Sequence, residues 1–153
     1  MKKFHFSLNT VLSYQQQRLD LLQGEHALIL SRLREAEQRR ADFVRRYQEE
    51  NETYQARCQR GVSILEVRFF ESKLRAMEQD IAAAEEQIRA VRAEAERKRT
   101  EVVEAKQDAA SIEKLKEKKR DAYNKASAKD AELAVEEFVS SVQTGKAGRE
   151  AGL

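Results

Sequence analysis

The chain has 153 residues, of which 41% are hydrophobic and 37% charged, with no proline and no tryptophan. So polar a composition, with so few aromatic residues, argues against a thick globular core. The absence of proline permits unusually long helices. The 29 basic and 27 acidic residues give a formal net charge of +2, and because the two signs alternate along the chain, nucleic acid is not indicated as a partner.

Several other classes of protein are disfavoured. The basic start at Lys2 and Lys3 is followed by a polar run from Gln15 before an apolar core has formed, so we expect neither an export signal nor a membrane span. A single cysteine, Cys58, suits a reducing cytoplasm. We find no catalytic motif and no metal-ligand spacing around either histidine, and we therefore expect no enzymatic activity, no cofactor, no metal and no small-molecule substrate.

The first half of the chain predicts a helix over about residues 7–59. Ser7 is placed to cap its start, with Phe6 and Val11 closing over that end. Apolar residues then recur at steps averaging 3.5 residues, the spacing that keeps one stripe facing a partner helix. This stripe comprises Leu8, Leu12, Leu19, Leu22, Ile29, Leu33, Ala36, Phe43, Tyr47 and Tyr54, and polar interruptions fall at Gln15, His26, Arg40 and Glu50.

A turn is predicted at residues 60–62 and a second helix over about 63–142. Gly61 suits the left-handed conformation that often ends a helix, and Ser63 with Glu66 forms an S-x-x-E capping box. The second helix repeats the 3.5-residue spacing with one interruption, at Lys98. Its stripe comprises Val67, Phe70, Leu74, Met77, Ile81, Ala84, Ile88, Val91, Ala95, Val102, Ala105, Ala109 and Ile112.

These two stripes predict an all-α fold, an antiparallel coiled-coil hairpin over residues 1–144 whose second helix is longer than the first. If the chain folds back at residues 60–61, Leu8 lies near position 113, which is where the second stripe weakens, after Ile112. A parallel homodimer would have no reason to weaken there. Residues 145–153, rich in glycine, are predicted to be disordered. The alternative interpretation is a homodimeric or homotetrameric structural coiled coil.

The polar interruptions have two interpretations. Arg40, Glu50 and Lys98 can lay their stems along the groove with their charges in water, or they can weaken the pair locally and select its register. His26 is interpreted as a polar notch that fixes register. The basic run of residues 114–120 is interleaved with carboxylates and is interpreted as a solvated helix face.

Two apolar surfaces exceed what the hairpin needs. Beyond the first helix, Ala131, Val135, Phe138 and Val142 form a stripe that has no intramolecular partner, which predicts a docking surface for another protein or for a second copy. Just past the turn lies a second group of apolar residues that the stripe does not fully use. These residues either plug the tip of the hairpin or present a contact to a partner. This set consists of Ile64, Leu65, Phe69 and Phe70.

Three short stretches resemble the FliJ family of flagellar type III export components. The opening Phe4-x-Phe6-x-Leu8-x-x-Val11-Leu12 is similar to the start of that family, and residues 112–118 followed by Tyr123 resemble its late "leklkek...y" stretch. Residues 132–138 resemble its "Eqk-lDE-a" ending. The resemblance covers about residues 4 to 140.

This resemblance implies a non-enzymatic, cytoplasmic, rod-like stalk or adaptor associated with the inner face of the cell membrane. Its partners would be the hexameric export ATPase, the membrane protein of the export gate and the export chaperones. The terminal end would enter the ATPase ring through Leu8, Leu12, Leu133, Val135 and Phe138. The gate would be contacted through Phe69, Phe70, Leu74 and Met77.

Overall fold

The computed structural model describes residues 2–152, and in that range it contains two long α-helices and no strand. Helix α1 spans Asn9–Arg60 and helix α2 spans Ile64–Glu150. At about 1.5 Å per residue they measure about 78 Å and about 130 Å. The two helices pack against each other, so the predicted all-α helical hairpin is confirmed.

The connection between the helices follows the predicted chemistry. Gly61 has φ 96°, a left-handed conformation that a side chain would strain. The Glu66 amide donates to the Ser63 hydroxyl at 3.2 Å, and the Ser63 amide donates to the Glu66 carboxylate at 3.4 Å. This is the predicted capping box, and it satisfies donors that the first turn of α2 would otherwise leave unpaired.

By packing, the chain divides into two units, the first formed by Met1–Gln17 with Lys106–Leu153 and the second by Arg18–Ala105. In the second unit the facing stripes have the predicted composition. One buried cluster joins Leu22 to Val102 and Ala105, and another joins Ile29 to Val91 and Ala95. Larger side chains of α1 thus pack against smaller ones of α2, and because Ala105 is 0% exposed the helices have no spare room there.

Ion pairs between the helices accompany the stripe in the second unit. Arg40 and Lys98, both polar interruptions of the stripes, reach Glu85 at 3.0 Å and Glu25 at 2.9 Å on the opposite helix. The third, Glu50, forms an ion pair with Lys73 of α2 at 3.0 Å. Partly exposed pairs add little stability, so their chief effect is on register. A shifted alignment of the helices would separate all three pairs at once.

In the first unit, an N-terminal segment extends the packing along α2. Tyr123 donates from its hydroxyl to the Lys2 carbonyl at 2.6 Å, and its ring lies 5.5 Å from that of Phe4. Phe6 is buried, and the guanidinium of Arg120 lies 5.7 Å from the centre of the Phe4 ring. The residues before α1 therefore cover α2 as far as Tyr123. The apolar stripes of the sequence indicated no partner for α2 beyond Ile112.

The start of α1 differs from the prediction. The helix begins at Asn9 instead of residue 7, and the Ser7 hydroxyl caps no amide among the described residues. Val11 is exposed while Phe6 is buried, so the two do not close over the helix end together. The reason is the larger apolar surface that α2 offers to Phe6 at the level of Tyr123.

The register and the end of α2 also differ. Asn9 lies beside Lys116 at 3.3 Å, which places Leu8 about four residues farther along α2 than position 113. The fold-back centre shifts because α2 starts only at Ile64, after the three-residue connection. Residues 145–150, predicted to be disordered, are the last turns of α2. Glycine lowers helix propensity by about 1 kcal/mol but does not block the ladder.

Overpacking at Ala105 tests the close approach of the helices. We expect Ala105→Leu to lower the free energy of unfolding by about 1–3 kcal/mol, since the added atoms enter a filled site. Ala93→Leu adds the same atoms at an exposed position and should change it by less than about 0.5 kcal/mol. Urea unfolding followed by circular dichroism measures both. Equal stability of the two variants would contradict the packing described here.

The ammonium of Lys98 provides a second test, by pH. Its hydrogen bonds to Glu101 at 2.8 Å and to Glu25 raise its pKa above the ordinary lysine value. A raised folded-state pKa stabilises the protein below the unfolded pKa, and this stabilisation is lost as the pH rises through the folded pKa. The difference in unfolding free energy between wild type and Lys98→Met should therefore be constant near neutrality and shrink above about pH 10.4. A difference that persists undiminished to pH 12 would contradict this assignment.

Candidate docking surfaces

The far end of α2 is the largest uncovered surface. Every described residue after Ser127 is exposed, including Val135 at 61% and Phe138 at 68%. At about 100° of helix per residue, Val135, Phe138 and Val142 fall on one face, which also carries Ala128, Ala131 and Val139. We call these six residues the terminal stripe. Large exposed apolar side chains at helical spacing are typical of a surface that binds another helix or a groove.

The residues predicted to bind the ATPase are not gathered on this face. Leu133 lies about 200° around the helix from Val135. Leu12 is 4% exposed and belongs to the buried stripe, whereas Leu8 is partly exposed near the level of Lys116. Only Val135 and Phe138 of the five share the terminal stripe.

A second surface lies at the turn. The side chains of Ile64, Leu65 and Phe69 are exposed in the first turns of α2, so they do not plug the hairpin tip. We call these three residues the tip patch. The neighbouring Phe70 instead packs on Tyr54, with ring centres 5.1 Å apart. Of the two interpretations of the surplus apolar residues, the structure favours an outward-facing contact.

The residues predicted to bind the export gate divide between outside and inside. Phe69 is 63% exposed, whereas Leu74 is buried and Phe70 and Met77 are partly buried between the helices. The helical period explains the split, because Phe70, Leu74 and Met77 follow the 3.5-residue spacing of the internal stripe and Phe69 does not. Phe69 is therefore the one member of this set that a partner can reach without separating the helices.

One exposed pair was missed by the sequence analysis. Leu21 and Leu28, on α1 of the second unit, are both exposed and stand seven residues apart with Gly24 between them. Seven residues are two helical turns, so both leucines lie on the same face. Counting a second stripe beside the buried one would have found them.

Charge distinguishes the two units. In the second unit, opposite charges face each other across the helices, as in the pair of Arg32 with Glu94 at 3.1 Å and that of Glu37 with Arg92 at 3.2 Å. At the end of α2 the carboxylates have no such partners. None of Asp130, Glu132, Glu136 and Glu137 forms an ion pair with a described residue, and residues 130–145 contain no lysine or arginine.

The described residues were also compared with the ligand sets that metal ions require. They contain no group of three or more histidine, cysteine or acidic side chains that could hold a metal ion. The concave regions along the helices are shallow, and the one lined by Arg32, Ala36, Phe43 and Val91 is a surface groove. Among the described helices, none has an apolar stretch sufficient to cross a membrane. What the geometry presents is surface for binding.

The Tyr47 hydroxyl is a polar contact between the helices near the tip. It donates to the Glu78 carboxylate at 3.0 Å. This hydrogen bond, with a smaller contribution from partial burial, raises the pKa of Tyr47 above the ordinary value. The phenol is therefore held protonated, and able to donate, to a higher pH than an ordinary tyrosine.

Long heptad-patterned helices joined by a capped turn, with apolar side chains exposed at both ends of α2, define a protein of the coiled-coil helical-hairpin class. The model of the flagellar FliJ protein family matches residues 4–146, nearly the whole chain. The chain belongs to this family, and it is therefore a flagellar export-related coiled-coil protein. No curated protein and no solved structure matches it.

Two phenylalanines next to each other provide a test of the tip. Phe70→Ala should lower the free energy of unfolding by about 2 kcal/mol, because the ring packs between the helices against Tyr54. Phe69→Ala removes a ring that is 63% exposed and meets Phe70 edge-on with ring centres 5.9 Å apart, so it should lower the free energy of unfolding by less, about 1 kcal/mol at most. Thermal and urea unfolding distinguish the variants. If Phe69→Ala proved the more destabilising, the side chains would be arranged differently from this description.

Proposed function

We propose that this protein is a non-enzymatic adaptor of the flagellar export apparatus that binds the hexameric export ATPase through the free end of α2. Membership of the FliJ family supports a role with the export machinery in general. The observation that carries the proposal is the terminal stripe, whose valines and phenylalanine have no partner within the described chain. A single helix is also slim enough, at about 10–12 Å across, to enter a channel in a ring.

The binding energy available from this stripe is substantial. Fully burying a valine or phenylalanine side chain contributes about 1.5–3 kcal/mol. Val135, Phe138 and Val142 alone can therefore supply several kcal/mol against the cost of association. Leu133 would contribute only if the partner surrounds the helix. Leu8 lies near the level of Lys116, before α2 leaves the cover of the N-terminal segment beyond Tyr123. Leu12 supports the contact indirectly, by holding α1 on α2.

At the other end of the hairpin, the tip patch is proposed to contact the membrane protein of the export gate. Phe69 is the accessible member of the predicted gate-binding set. Leu65, about 40° around the helix, extends its exposed surface, whereas Ile64 is exposed about 140° away. Phe70, Leu74 and Met77 position this patch by packing between the helices. The export chaperones are further proposed partners, and the site of work would be the cytoplasmic side of the cell membrane. The function requires binding and orientation, with no chemical step on this chain.

The homo-oligomeric scaffold remains the alternative, and solution mass distinguishes it. A monomer of about 18 kDa with high helicity supports the hairpin adaptor, because α1 and α2 already satisfy each other's stripes. Helicity that falls on dilution would instead indicate an obligate dimer.

Stimulation of the ATPase tests the proposed docking. Val135→Asp and Phe138→Asp should each reduce stimulation of ATP hydrolysis by the cognate export ATPase at least about tenfold, since a carboxylate would be placed in an apolar contact. Helicity should be unchanged, because both positions are exposed.

A matched control is Leu28→Asp, which changes an equally exposed side chain in the second unit, 69% against 68% for Phe138. It should stimulate like wild type. Full stimulation by both Val135→Asp and Phe138→Asp would refute docking through the terminal stripe.

A further inference from the structure

A groove runs along the N-terminal segment that precedes α1, away from the terminal stripe and the tip patch. It belongs to the first unit, has a volume of about 530 Å³ and is lined by residues 2–7, Lys119 and Tyr123. This volume lies within the range of about 300–1,000 Å³ that is typical of ligand pockets. The buried Phe6 and the stacking of the Phe4 ring on Tyr123 hold the segment against α2 and so fix the shape of the groove.

The groove is lined by cations and by no carboxylate. Lys2, Lys3 and Lys119 contribute to its lining, and no acidic side chain of a described residue does. None of these three lysines forms an ion pair with a described residue, and residues 1–19 contain no acidic residue. An anionic ligand would therefore reduce the repulsion among the lysines without displacing an existing partner.

The carboxylates of α2 near this level do not reach the groove. At about 100° per residue, Glu113, Glu117 and Asp121 lie about 120–160° around the helix from Lys119. Asp130 lies on the same side as Lys119, but it is eleven residues farther along, which is about 16 Å. That distance is about two Debye lengths at physiological ionic strength, so the positive charge of the groove is not neutralised from within the described chain.

The N-terminal segment also offers unpaired backbone groups beside the groove. Residues 2–6 are not helical, and the carbonyls of Lys2 and Phe6 already accept hydrogen bonds. Lys3 and His5 are exposed and form no hydrogen bond with a described residue, so the N–H and C=O of each can pair with a ligand. Alternate residues with free backbone groups are what the edge of a sheet presents to an extended peptide.

The two features together select among anionic ligands. A phosphate group, free or in a lipid headgroup, can accept from lysines and amides, but its oxygens would repel the free carbonyls of Lys3 and His5. A peptide can pair with the N–H and with the C=O of each residue, while its acidic side chains reach the lysines. A bilayer surface also contacts the convex parts of a protein more easily than a groove. An acidic peptide is therefore the ligand that uses every group on offer.

We propose that this groove binds an extended acidic peptide segment of a partner protein. The backbone of the peptide pairs with Lys3 and His5, and its carboxylates lie against Lys2, Lys3 and Lys119. This inference goes beyond the proposed function, because it needs neither the terminal stripe nor the tip patch. Binding should weaken as salt is added, since exposed charges carry much of it.

Fluorescence anisotropy with the full-length protein tests this inference. The probe is a labelled octapeptide of alternating glutamate and valine, and its counterpart has lysine in place of glutamate. In about 50 mM NaCl, we expect saturable binding of the acidic probe with a dissociation constant below about 1 mM. The basic peptide should bind at least about tenfold more weakly. Failure of the acidic probe to bind, or equal binding of the two peptides, would overturn the inference.

Two triple variants separate the groove from the general charge of α2. Lys2→Gln/Lys3→Gln/Lys119→Gln should raise the dissociation constant of the acidic probe at least about tenfold, because the cations facing its carboxylates are lost.

The control is Lys114→Gln/Lys118→Gln/Lys125→Gln, which removes the same charge about 140–180° around α2 from Tyr123. It should change the dissociation constant less than about threefold. All six lysines are exposed, so helicity by circular dichroism should not change in either variant. An equal loss in both would overturn the inference, since only net charge would then matter.

The pairing through the backbone has its own test. An N-methylated probe that keeps the carboxylates and lacks the peptide N–H donors should bind at least about fivefold more weakly. If it binds like the unmodified probe, the extended pairing with Lys3 and His5 is refuted.

Two further outcomes distinguish this inference from its rivals. Val135→Asp, which should abolish docking through the terminal stripe, should bind the acidic probe like wild type, and a matching loss of probe binding would contradict a separate site. The wild type is also mixed with vesicles of equal parts phosphatidylcholine and phosphatidylglycerol. If these vesicles bind through Lys2, Lys3 and Lys119 while the probe does not bind, a lipid surface covers the groove and the inference falls.

Discussion

The packing of large side chains of α1 against small side chains of α2 is the constraint on which the structure depends. Leu22 and Ile29 fill the space left by residues such as Ala95 and Ala105. In a two-helix structure no further layer of side chains can fill a gap left by poor packing. The size of each stripe residue must therefore match that of the residue facing it on the other helix. The ion pairs of Arg40 and Lys98 add a penalty for any shifted alignment.

Packing through a single stripe on each helix leaves other apolar side chains exposed to partners. A helical hairpin buries one stripe per helix, and every apolar side chain off that stripe is exposed. Phe69 and Phe70 show this directly: adjacent in sequence, one faces water and the other packs on Tyr54. The two patches at the ends of the described helix α2 differ in their surroundings. The tip patch adjoins the capping box, whereas the terminal stripe is flanked by unpaired carboxylates.

Membership of the FliJ family and the chemistry of these surfaces support each other. The family places the chain with the flagellar export machinery. The terminal stripe shows where apolar surface is exposed on α2.

The sequence by itself determined the helices, the turn and the internal stripes, because heptad spacing, a positive-φ glycine and a capping box are local signals that act within a few residues. It also indicated the uncovered end of α2, since the stripe of α1 is shorter. Only the tertiary structure decided the register, the course of the N-terminal segment along α2, and which of Phe69, Phe70, Leu74 and Met77 face outward. The physical reason is that register and exposure depend on how two segments distant in sequence pack together. A shift of four residues, little more than one helical turn, keeps nearly the same helix faces together and leaves the local sequence pattern unchanged. The packing of Phe6 and Tyr123 and the interhelical ion pairs then select one alignment.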